Sequence, residues 1–300
     1  RVSVIEDALR EDLGTARGFH FVPVNDYPYS DVSWAIQVQN AVSQLGHFEQ
    51  GATVALVGHE KDESSYYLNM FPQWALYKVG AKAKGVSATE FREKLFQDVG
   101  ITRFNWIAEA DLPTATKHFL VRFMTNQEFG YKNLCNEYQL IQKYKDSWKN
   151  APYPPTFVTT DAVVIQSGHV LLIQRKVAPG AGLLALPGGF INGNERLVDG
   201  CIRELREETK IKVPESILRA NIVGSSVFDA PNRSLRGRTI THAFCIKLDD
   251  MQYLPKVRGS DDAAKAKWYP LSQILSNAGR ECLFEDHIDI IQTMVDRFVG

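Results

Sequence analysis

Three carboxylates and two arginines within a short stretch of sequence are the strongest chemical signal in the chain. Residues 188–211 read GGFINGNERLVDGCIRELREETKI, a glycine-rich loop followed by a pattern typical of an amphipathic helix. The apolar stripe of that helix is formed by Leu197, Val198, Cys201, Ile202 and Leu205. Glu204 and Glu208 are four residues apart and border the stripe, and Glu207 lies one turn beyond Glu204. The spacing therefore brings three carboxylates to the edge of a buried helix face.

These carboxylates repel one another, because like charges in a poorly solvated place are costly without compensation. A divalent cation supplies that compensation, and a set of oxygen ligands suits Mg²⁺ or Mn²⁺. Arg203 and Arg206 can pair with part of the charge. Taken alone, Glu207 and Glu208 are more typical of a solvated acidic helix face, but the preceding glycine loop and the spacing favour a metal site.

The same segment resembles the Nudix box, G-x5-E-x7-R-E-U-x-E-E-x-G-U, in which U is an apolar residue. Here the pattern begins at Gly189, and Lys210 stands where the family has a glycine. That glycine helps to end the helix and ligates nothing, so the departure concerns the turn rather than the chemistry. The resemblance implies hydrolysis of a nucleoside diphosphate that is linked to another moiety.

The Nudix resemblance also implies roles for individual residues. The metal ligands would be the carboxylates of Glu204, Glu207 and Glu208 and the carbonyl oxygen of Gly188. Arg203 and Glu195 would orient the helix and the loop. In the family, the metals bridge pyrophosphate oxygens and activate a water molecule. The general base stays open among the box glutamates and the polar loop 259–263, where Asp262 could instead bind a ribose or belong to a simple turn.

Arginines on both sides of the box are candidates for binding substrate phosphates. Arg233, Arg236 and Arg238 surround Gly237 in what reads as a turn that enters a strand, and Arg175 ends a strand just before the glycine loop. Guanidinium groups bind phosphate oxygens in a bidentate manner. A solvated hairpin tip is the alternative explanation of the cluster.

The flanking segments are similar to the ADP-ribose pyrophosphatase branch of the Nudix family. The similar stretches are TTDAVV (159–164), ALPGGFI (185–191), VFDAPNRSLRGRTITH (227–242) and EDH (285–287). They add Phe190 and Asp229 to the candidates for substrate binding. The resemblance implies cleavage of ADP-ribose to AMP and ribose 5-phosphate. The alternatives are another substrate, such as NADH, a nucleotide sugar or a nucleoside triphosphate, and a non-catalytic sensor of ADP-ribose or NAD, against which the intact box argues.

Motifs in the first half resemble those of nucleotidyltransferases. GHEKD (58–62) follows an apolar run, where open α/β sheets place their ligands. SATEFR (87–92) resembles S-x-T-x-x-R, which holds ATP phosphates at a helix N-terminus, although a plain helix cap explains it as well. Trp34 is expected either to stack on a nicotinamide ring or to belong to the core. The candidate residues are Trp34, Gly58, His59, Lys61, Asp62, Ser87, Thr89 and Arg92.

Together the two halves resemble the bacterial bifunctional nicotinamide-mononucleotide (NMN) adenylyltransferase/ADP-ribose pyrophosphatase family. That family begins with a strand and a G-x-F-x-P-x-H-x-G-H loop whose histidines stabilise the transferring phosphoryl group, and nothing similar occurs here. We therefore expect the sequence to be part of a longer protein that joins ATP and NMN to give NAD⁺ and pyrophosphate. The sequence as given is not expected to catalyse that transfer.

The elements that must position these residues are predicted as two α/β domains. Alternating helix and strand signals, including a strand at 19–24, favour an incomplete Rossmann-like nucleotidyltransferase domain over residues 1–150. The segment APYPPT (151–156) cannot continue a helix and predicts an extended spacer. Residues 151–300 predict a Nudix α/β/α sandwich, with strands at 157–165 and 169–175 and a last helix at 286–298.

The composition favours a globular protein that binds small molecules. Of 300 residues, 44% are apolar and 23% charged, and the net charge of -1 lacks the basic excess of a dedicated nucleic-acid binder. No apolar run approaches the length of a membrane span, and four scattered cysteines indicate unpaired buried thiols. We expect a cytoplasmic protein whose partners are nucleotides (ADP-ribose, ATP, NMN or NAD) rather than nucleic acid or membrane, with a second copy of the chain in a homodimer as a further candidate partner.

Overall fold

The computed structural model describes residues 2–45, 53–60, 63–80, 87–97, 102–126, 130–260 and 262–300. The contacts divide the chain into two compact units, Arg1–Tyr138 and Gln139–Gly300. The division falls inside a helix, Tyr131–Ser147, that ends shortly before the proline-rich segment. The predicted domain boundary between residues 150 and 151 stays a prediction.

The first unit contains helices and a pair of short strands. Its elements are α1 (Val2–Leu13), α2 (Asp31–Leu45), β1 (Ala55–Gly58), a 3₁₀ helix (Glu63–Asn69), β2 (Ala75–Lys78), α3 (Ala88–Gln97), α4 (Thr102–Glu109), α5 (Thr114–Thr125) and α6 (Tyr131–Ser147), which continues into the second unit. The two strands pair in parallel, with Ala55 opposite Ala75 and Gly58 opposite Lys78. Parallel pairing is what the alternation of helix and strand signals predicts.

The core of the first unit forms between α3, α4, α5 and α6. Its buried members are Leu95, Ile107, Met124, Tyr131 and Cys135. By contrast, none of the residues of α1 and α2 is buried. The predicted strand at 19–24 is wrong, since these residues are irregular. Pro23 cannot donate a ladder hydrogen bond, and Phe19, Val22 and Val24 are exposed, so the apolar pattern is not matched by a partner strand.

A seven-stranded mixed sheet organises the second unit. Its elements are β3 (Thr156–Gln166), β4 (His169–Arg175), β5 (Leu184–Ala185), β6 (Gly188–Phe190), α7 (Leu197–Thr209), α8 (Glu215–Ala220), β7 (Ile222–Phe228), β8 (Arg238–Lys247), β9 (Ala263–Pro270), α9 (Leu271–Ile274), α10 (Asn277–Cys282) and α11 (His287–Phe298). The order along the sheet is β5-β4-β3-β8-β7, while β6 pairs with β3 and β9 with β4.

The long central strand β3 connects most of this sheet. It runs parallel to β8 along almost its whole length and forms a hairpin with β4. Near its start it pairs antiparallel with β6, which sets Asp161 opposite Gly188. Because β6 begins the box segment, this pairing fixes the glycine loop against the sheet.

Helix α7 packs on this sheet through the stripe predicted from its sequence. Cys201, Ile202 and Leu205 are fully buried and join Ala162 and Val164 of β3 in one core cluster. At the end of the chain, α11 packs against β7 and β8. Three cysteines of the chain are buried and unpaired as expected, but Cys282 is exposed because it lies at the end of the short surface helix α10.

Among the described residues, no helix has both the length and the apolar character that a membrane crossing requires.

Candidate active site

A cavity of about 270 Å³ lies in the second unit beside α7. Of the residues predicted as site residues from the sequence, those that line it are Arg175, Gly188, Phe190, Glu204, Glu208, Arg233, Arg236 and Asp262. The sheet, the box helix and the segment before α11 thus bring together side chains that are far apart in sequence.

Helix α7 turns two of the three predicted carboxylates toward this cavity. The residue Glu208 is 6% exposed, and the side chain of Glu204 is 16% exposed. Glu207 lines no part of the cavity, and its side chain is 44% exposed. The four-residue spacing of Glu204 and Glu208 puts both at the edge of the buried stripe, while Glu207 is rotated toward solvent.

The box glycines are needed because the carboxylates approach the backbone closely. A Cβ on Gly189 would lie 2.7 Å from Oε1 of Glu204. A Cβ on Gly188 would lie 2.2 Å from the carbonyl oxygen of Thr160 and 2.5 Å from Oδ1 of Asp161. The loop therefore tolerates no side chain at Gly188, where backbone atoms stand in the way, while a side chain at Gly189 would displace the carboxylate of Glu204.

Glu208 is held by the backbone of the loop. The N–H of Gly188 donates a hydrogen bond of 3.0 Å to its Oε2. Burial raises the pKa of Glu208 to about 8, and the charges of Glu204 and Asp161 act in the same direction. Arg175 acts in the opposite direction but does not outweigh burial, so the carboxylate is incompletely compensated, which is the situation that a bound cation relieves.

Arg203 ties the glycine loop to the box helix. Its Nε and Nη2 donate to the two carboxylate oxygens of Glu195 at 3.0 and 2.7 Å, and its Nη1 donates to Glu204 at 2.9 Å and to Glu207 at 3.0 Å. This hydrogen bonding lowers the pKa of Glu195 to about 2. Arg203 therefore has the contacts expected of the orienting role that the Nudix resemblance implies for it and Glu195.

The oxygen atoms around the cavity suit a hard divalent cation. Glu204 and Glu208 both line it, and Gly188 contributes backbone at the same place. Within the described residues, no group of three His, Cys, Asp or Glu side chains is arranged to hold a metal ion. The carboxylates of Glu204 and Glu207 are hydrogen-bonded to Arg203. The donor chemistry fits Mg²⁺ or Mn²⁺, while the ligand set stays a prediction.

Two residues that line the cavity, Asp161 and His287, were not among the predicted site residues. Asp161 is buried and accepts a hydrogen bond from the hydroxyl of Thr241. Nδ1 of His287 accepts a hydrogen bond of 2.9 Å from the N–H of Leu186, and burial lowers the pKa of this imidazole. One signal was present in the sequence, since Asp161 is the single charged residue of an otherwise apolar strand core.

Two arginines line the same cavity as the carboxylates. We call the lining around Glu204 and Glu208 the acidic wall and the lining around the arginines the basic wall. Arg175 donates from Nε to the carbonyl of Pro179 at 2.8 Å, and its guanidinium lies 4.1 Å from the ring centre of Phe284. The guanidinium of Arg236 lies 5.3 Å from the ring centre of Phe190. Stacking on aromatic rings fixes both groups while leaving N–H donors for a ligand.

Arg233 differs from these two arginines because it is already paired. Its Nε and Nη2 donate to the two oxygens of Asp286 at 2.9 and 2.8 Å, and the two side chains are 3% and 6% exposed. The predicted part of Arg233 in substrate binding is not tested by this contact, but the contact shows that Asp286 already occupies two of its donors.

Comparison with known proteins places the chain in a family. The model of the NUDIX domain matches residues 155–292, which include the box and both walls of the cavity. A bifunctional NMN adenylyltransferase/ADP ribose pyrophosphatase from Francisella tularensis is 35% identical, and its crystal structure superposes with a TM-score of 0.86 over 99% of this chain and 84% of that one. The chain belongs to the bifunctional NMN adenylyltransferase/ADP-ribose pyrophosphatase family. The predicted resemblance and α/β fold class are thereby confirmed.

Other known proteins match the chain over its whole length or over one of its halves. A second structure of the Francisella tularensis enzyme, complexed with AMP and a Mn ion, is 34% identical, with a TM-score of 0.84 over 99% of this chain and 84% of that one. An ADP-ribose pyrophosphatase from Methanocaldococcus jannaschii is 30% identical over 134 residues, 45% of this chain and 73% of its own. A nicotinamide/nicotinic acid mononucleotide adenylyltransferase from Acinetobacter baylyi is 35% identical over 126 residues, 42% of this chain and 57% of its own.

Not every site residue expected from the family resemblance reaches the cavity. Arg238 donates from Nη1 to the carbonyl oxygen of Asp229, and its Nη2 lies 3.9 Å from the carboxylate of the same residue. In the part of the chain that the structure describes, neither residue lines the cavity. Arg238 and Asp229 therefore contact each other outside the cavity lining, and their part in substrate binding stays a prediction.

The adenylyltransferase half offers less evidence about its predicted residues. Trp34 is half-buried and packs on Tyr67 and Phe71, with ring centres 5.9 and 5.7 Å apart, so the choice between nicotinamide stacking and a core position stays open. His59 comes directly after β1, and its Nδ1 lies 3.0 Å from the carbonyl oxygen of Val79. A Cβ on Gly58 would overlap the side chain of Leu68, so this position requires glycine.

The S-x-T-x-x-R segment forms local contacts. The hydroxyl of Ser87 accepts a hydrogen bond of 3.4 Å from the N–H of Glu90 at the start of α3, which is a helix cap. Arg92 donates to the hydroxyl of Thr89 at 3.5 Å. Lys61 and Asp62 lie outside the described residues. The predicted phosphate-binding role of this segment stays open beside the capping alternative.

Proposed function

We propose that the second unit hydrolyses the pyrophosphate bond of ADP-ribose to give AMP and ribose 5-phosphate. The observation that carries this proposal is that carboxylates and guanidinium groups line one cavity, with Glu204 and Glu208 on the acidic wall and Arg175 and Arg236 on the basic wall. A diphosphate needs positive charge around it, which guanidinium groups supply directly and carboxylates supply only through a bound cation.

The cation that we propose is Mg²⁺, with Mn²⁺ as a substitute. The carboxylates of Glu204 and Glu208 and the carbonyl oxygen of Gly188 would hold it, and the Nudix resemblance adds Glu207, whose side chain does not line the cavity. When bound, a divalent cation neutralises phosphate charge and lowers the pKa of a coordinated water molecule. The raised pKa of Glu208 supports this assignment, because burial and the neighbouring carboxylates outweigh the charge of Arg175.

The remaining residues of the site orient the substrate and move a proton. Arg175 and Arg236 bind the phosphate oxygens, since both line the cavity and are braced against aromatic rings. Arg203 keeps the box carboxylates at a fixed distance from the loop through its bonds to Glu195 and Glu204. We propose Asp262, which lines the same cavity, as the acceptor of the proton from the attacking water.

For the first unit we propose a part in adenylyl transfer, in which ATP and NMN give NAD⁺ and pyrophosphate. Support comes from the family to which the chain belongs rather than from the geometry of the predicted residues. We further propose a cytoplasmic location and a homodimer. The molar mass of the purified chain, measured by light scattering, would test the dimer.

Analysis of reaction products tests the hydrolase. The chain is incubated with ADP-ribose, NADH or a nucleoside triphosphate, with Mg²⁺ and with a chelator, and the phosphorus-containing products are separated by chromatography. We expect AMP and ribose 5-phosphate from ADP-ribose, only when Mg²⁺ is present. Binding of ADP-ribose without turnover of any substrate would instead favour the sensor alternative.

A further inference from the structure

Glu285 is a carboxylate in the cavity to which the proposed hydrolysis assigns no role. It lines the cavity together with Arg175 and Arg236. Its side chain is 12% exposed, and burial raises the pKa of its carboxyl group. Its backbone φ of 46° lies in the left-handed region that residues other than glycine seldom adopt. A buried acidic group in a cavity for a polyanion repels the ligand, so its presence there calls for a compensating contact.

The neighbours of Glu285 satisfy only part of its hydrogen-bonding capacity. Within the described residues, it accepts a hydrogen bond from the hydroxyl of Ser234, and one oxygen lies 4.0 Å from Nη2 of Arg236. The second distance is too long for a hydrogen bond. An ionised carboxylate offers about four acceptor positions on its two oxygens. Acceptor capacity therefore remains on a side chain that faces the ligand space.

The next residue in the chain shows the opposite arrangement. Asp286 accepts two hydrogen bonds from Arg233, at 2.8 and 2.9 Å, and both side chains are almost completely buried. Its charge is thus matched inside the protein. No such bidentate partner stands opposite Glu285 in the described part of the chain, which makes a partner from the substrate the natural counterpart.

We infer that Glu285 accepts the hydroxyl groups of a ribose diol of the substrate and so determines which nucleoside diphosphates the site takes. This inference rests on the proposed function and narrows its substrate class. The two oxygens of a carboxylate can each accept from one of two adjacent hydroxyls. The neighbouring Arg236 binds a phosphate oxygen, so that a sugar phosphate is held at both ends by adjacent side chains.

The same carboxylate disfavours a further phosphate at this place. A phosphoryl group near Glu285 would bring two like charges together in a poorly solvated cavity, where repulsion is only weakly screened. A nucleoside triphosphate, whose third phosphate would enter the region that a sugar occupies in ADP-ribose, is therefore a poor substrate. The predicted class is a nucleoside diphosphate joined to a sugar with free hydroxyls.

ADP-ribose contains two riboses, and the experiment distinguishes them. Values of kcat/KM are measured for ADP-ribose, for the analogue that lacks the 2′-hydroxyl of the adenosine and for the analogue that lacks the 2-hydroxyl of the distal ribose. We expect removal of the 2-hydroxyl of the distal ribose to lower kcat/KM by about tenfold to hundredfold, since a hydrogen bond to a charged group is among the stronger ones. Removal of the adenosine 2′-hydroxyl should lower it much less, because the distal sugar is the group that the third phosphate of ATP replaces. A loss confined to the adenosine analogue would contradict the inference.

The variants Glu285→Ala and Glu285→Gln then complete the comparison. In Glu285→Ala we expect ADP-ribose and the sensitive analogue to react equally well, because the acceptor is gone. In Glu285→Gln, which keeps one acceptor oxygen, we expect the kcat/KM values of ADP-ribose and of the sensitive analogue to differ by only a few-fold. The kcat/KM of ATP relative to that of ADP-ribose should rise in the same variant. Glu281→Gln is the matched control, since Glu281 is exposed on α10 and does not line the cavity.

The outcomes separate this inference from the proposed function. An enzyme insensitive to both hydroxyls, or a Glu285→Ala variant that keeps the full difference, would overturn the inference while ADP-ribose hydrolysis stands. If Glu285 only supported Arg236, kcat/KM would fall by the same factor for all substrates in the variants, and this outcome would also contradict the inference. Should the chain not hydrolyse ADP-ribose at all, the proposed function fails, and binding of the same three compounds measured by calorimetry still gives the comparison for Glu285.

Discussion

The two walls of the cavity are built in different ways. The acidic wall comes from one continuous segment, the loop at Gly188 and the helix that carries Glu204 and Glu208. The basic wall is assembled from separate places in the chain, namely the end of β4, the segment 233–236 and the segment 284–287. Local periodicity decides the first wall, whereas packing between distant segments decides the second. Substitutions on the two walls should therefore have different kinds of effect.

The largest expected effect is loss of catalysis on the acidic wall. We expect Glu208→Gln to lower the rate of Mg²⁺-dependent hydrolysis of ADP-ribose by about a hundredfold to a thousandfold, because a metal ligand and its charge are lost. The free energy of unfolding should not fall, since glutamine has the same shape and can still accept from the N–H of Gly188. Initial rates and urea unfolding of the variant and of Glu281→Gln test this. A near-normal rate would remove Glu208 from the metal ligands.

On the basic wall, the largest effect should concern stability rather than the chemical step. Arg233→Ala leaves Asp286 buried without its partner, and we expect a loss of about 3–5 kcal/mol in the free energy of unfolding. Replacing both residues by apolar ones of similar size, as in Arg233→Met with Asp286→Leu, should recover much of that loss. Urea unfolding curves of the single and double variants measure it. If the single and double variants lost the same free energy of unfolding, the unpaired charge of Asp286 would not be the cause of the loss.

Arg236 lies three residues away from Arg233 and should respond in a different way. We expect Arg236→Ala to raise KM for ADP-ribose about tenfold or more with a smaller change in kcat, because a phosphate contact contributes mainly to binding. Stability should change little, since its nearest carboxylate is 4.0 Å away. Arg297→Ala is the matched control, because Arg297 is exposed on α11 and does not line the cavity. An unchanged KM in Arg236→Ala would place Arg236 outside the substrate site.

These three arginines show what could be predicted from the sequence and what could not. All three were predicted as phosphate ligands from their clustering, since residue type and spacing were the same kind of evidence for each. Their difference depends on partners that are distant in sequence, such as Asp286, and on which side chain the turn at Gly237 directs inward. No local pattern encodes such contacts, so the cluster was predictable but the division of roles within it was not.

The box helix was more predictable because its determinants are local. The burial of Cys201, Ile202 and Leu205 and the inward position of Glu208 follow from the 3.6-residue period alone. In the first unit, the same kind of pattern predicted a strand at 19–24 that does not form. Periodicity predicts which face is apolar, but a strand also needs a partner with free hydrogen-bonding groups, and Pro23 weakens that pairing.

The smallest predicted effect tests the one departure of the acidic wall from the Nudix pattern. Lys210 ends α7 with a φ of 45°, the left-handed conformation that glycine adopts at no steric cost. A side chain in this conformation costs about 1–2 kcal/mol, of which the greater flexibility of glycine in the unfolded chain offsets a part. We therefore expect Lys210→Gly to raise the free energy of unfolding by about 0.5–1 kcal/mol.

The control for this prediction is Lys210→Ala, which removes the long side chain but keeps the Cβ and should give no such gain. Hydrolysis of ADP-ribose should be the same in both variants, because Lys210 is exposed and does not line the cavity. If Lys210→Gly and Lys210→Ala were equally stable, backbone strain at the end of α7 would not be what distinguishes lysine from the glycine of the family. If Lys210→Gly changed the rate, the turn would take part in positioning Glu208, two residues before it, and the end of the helix would belong to the acidic wall.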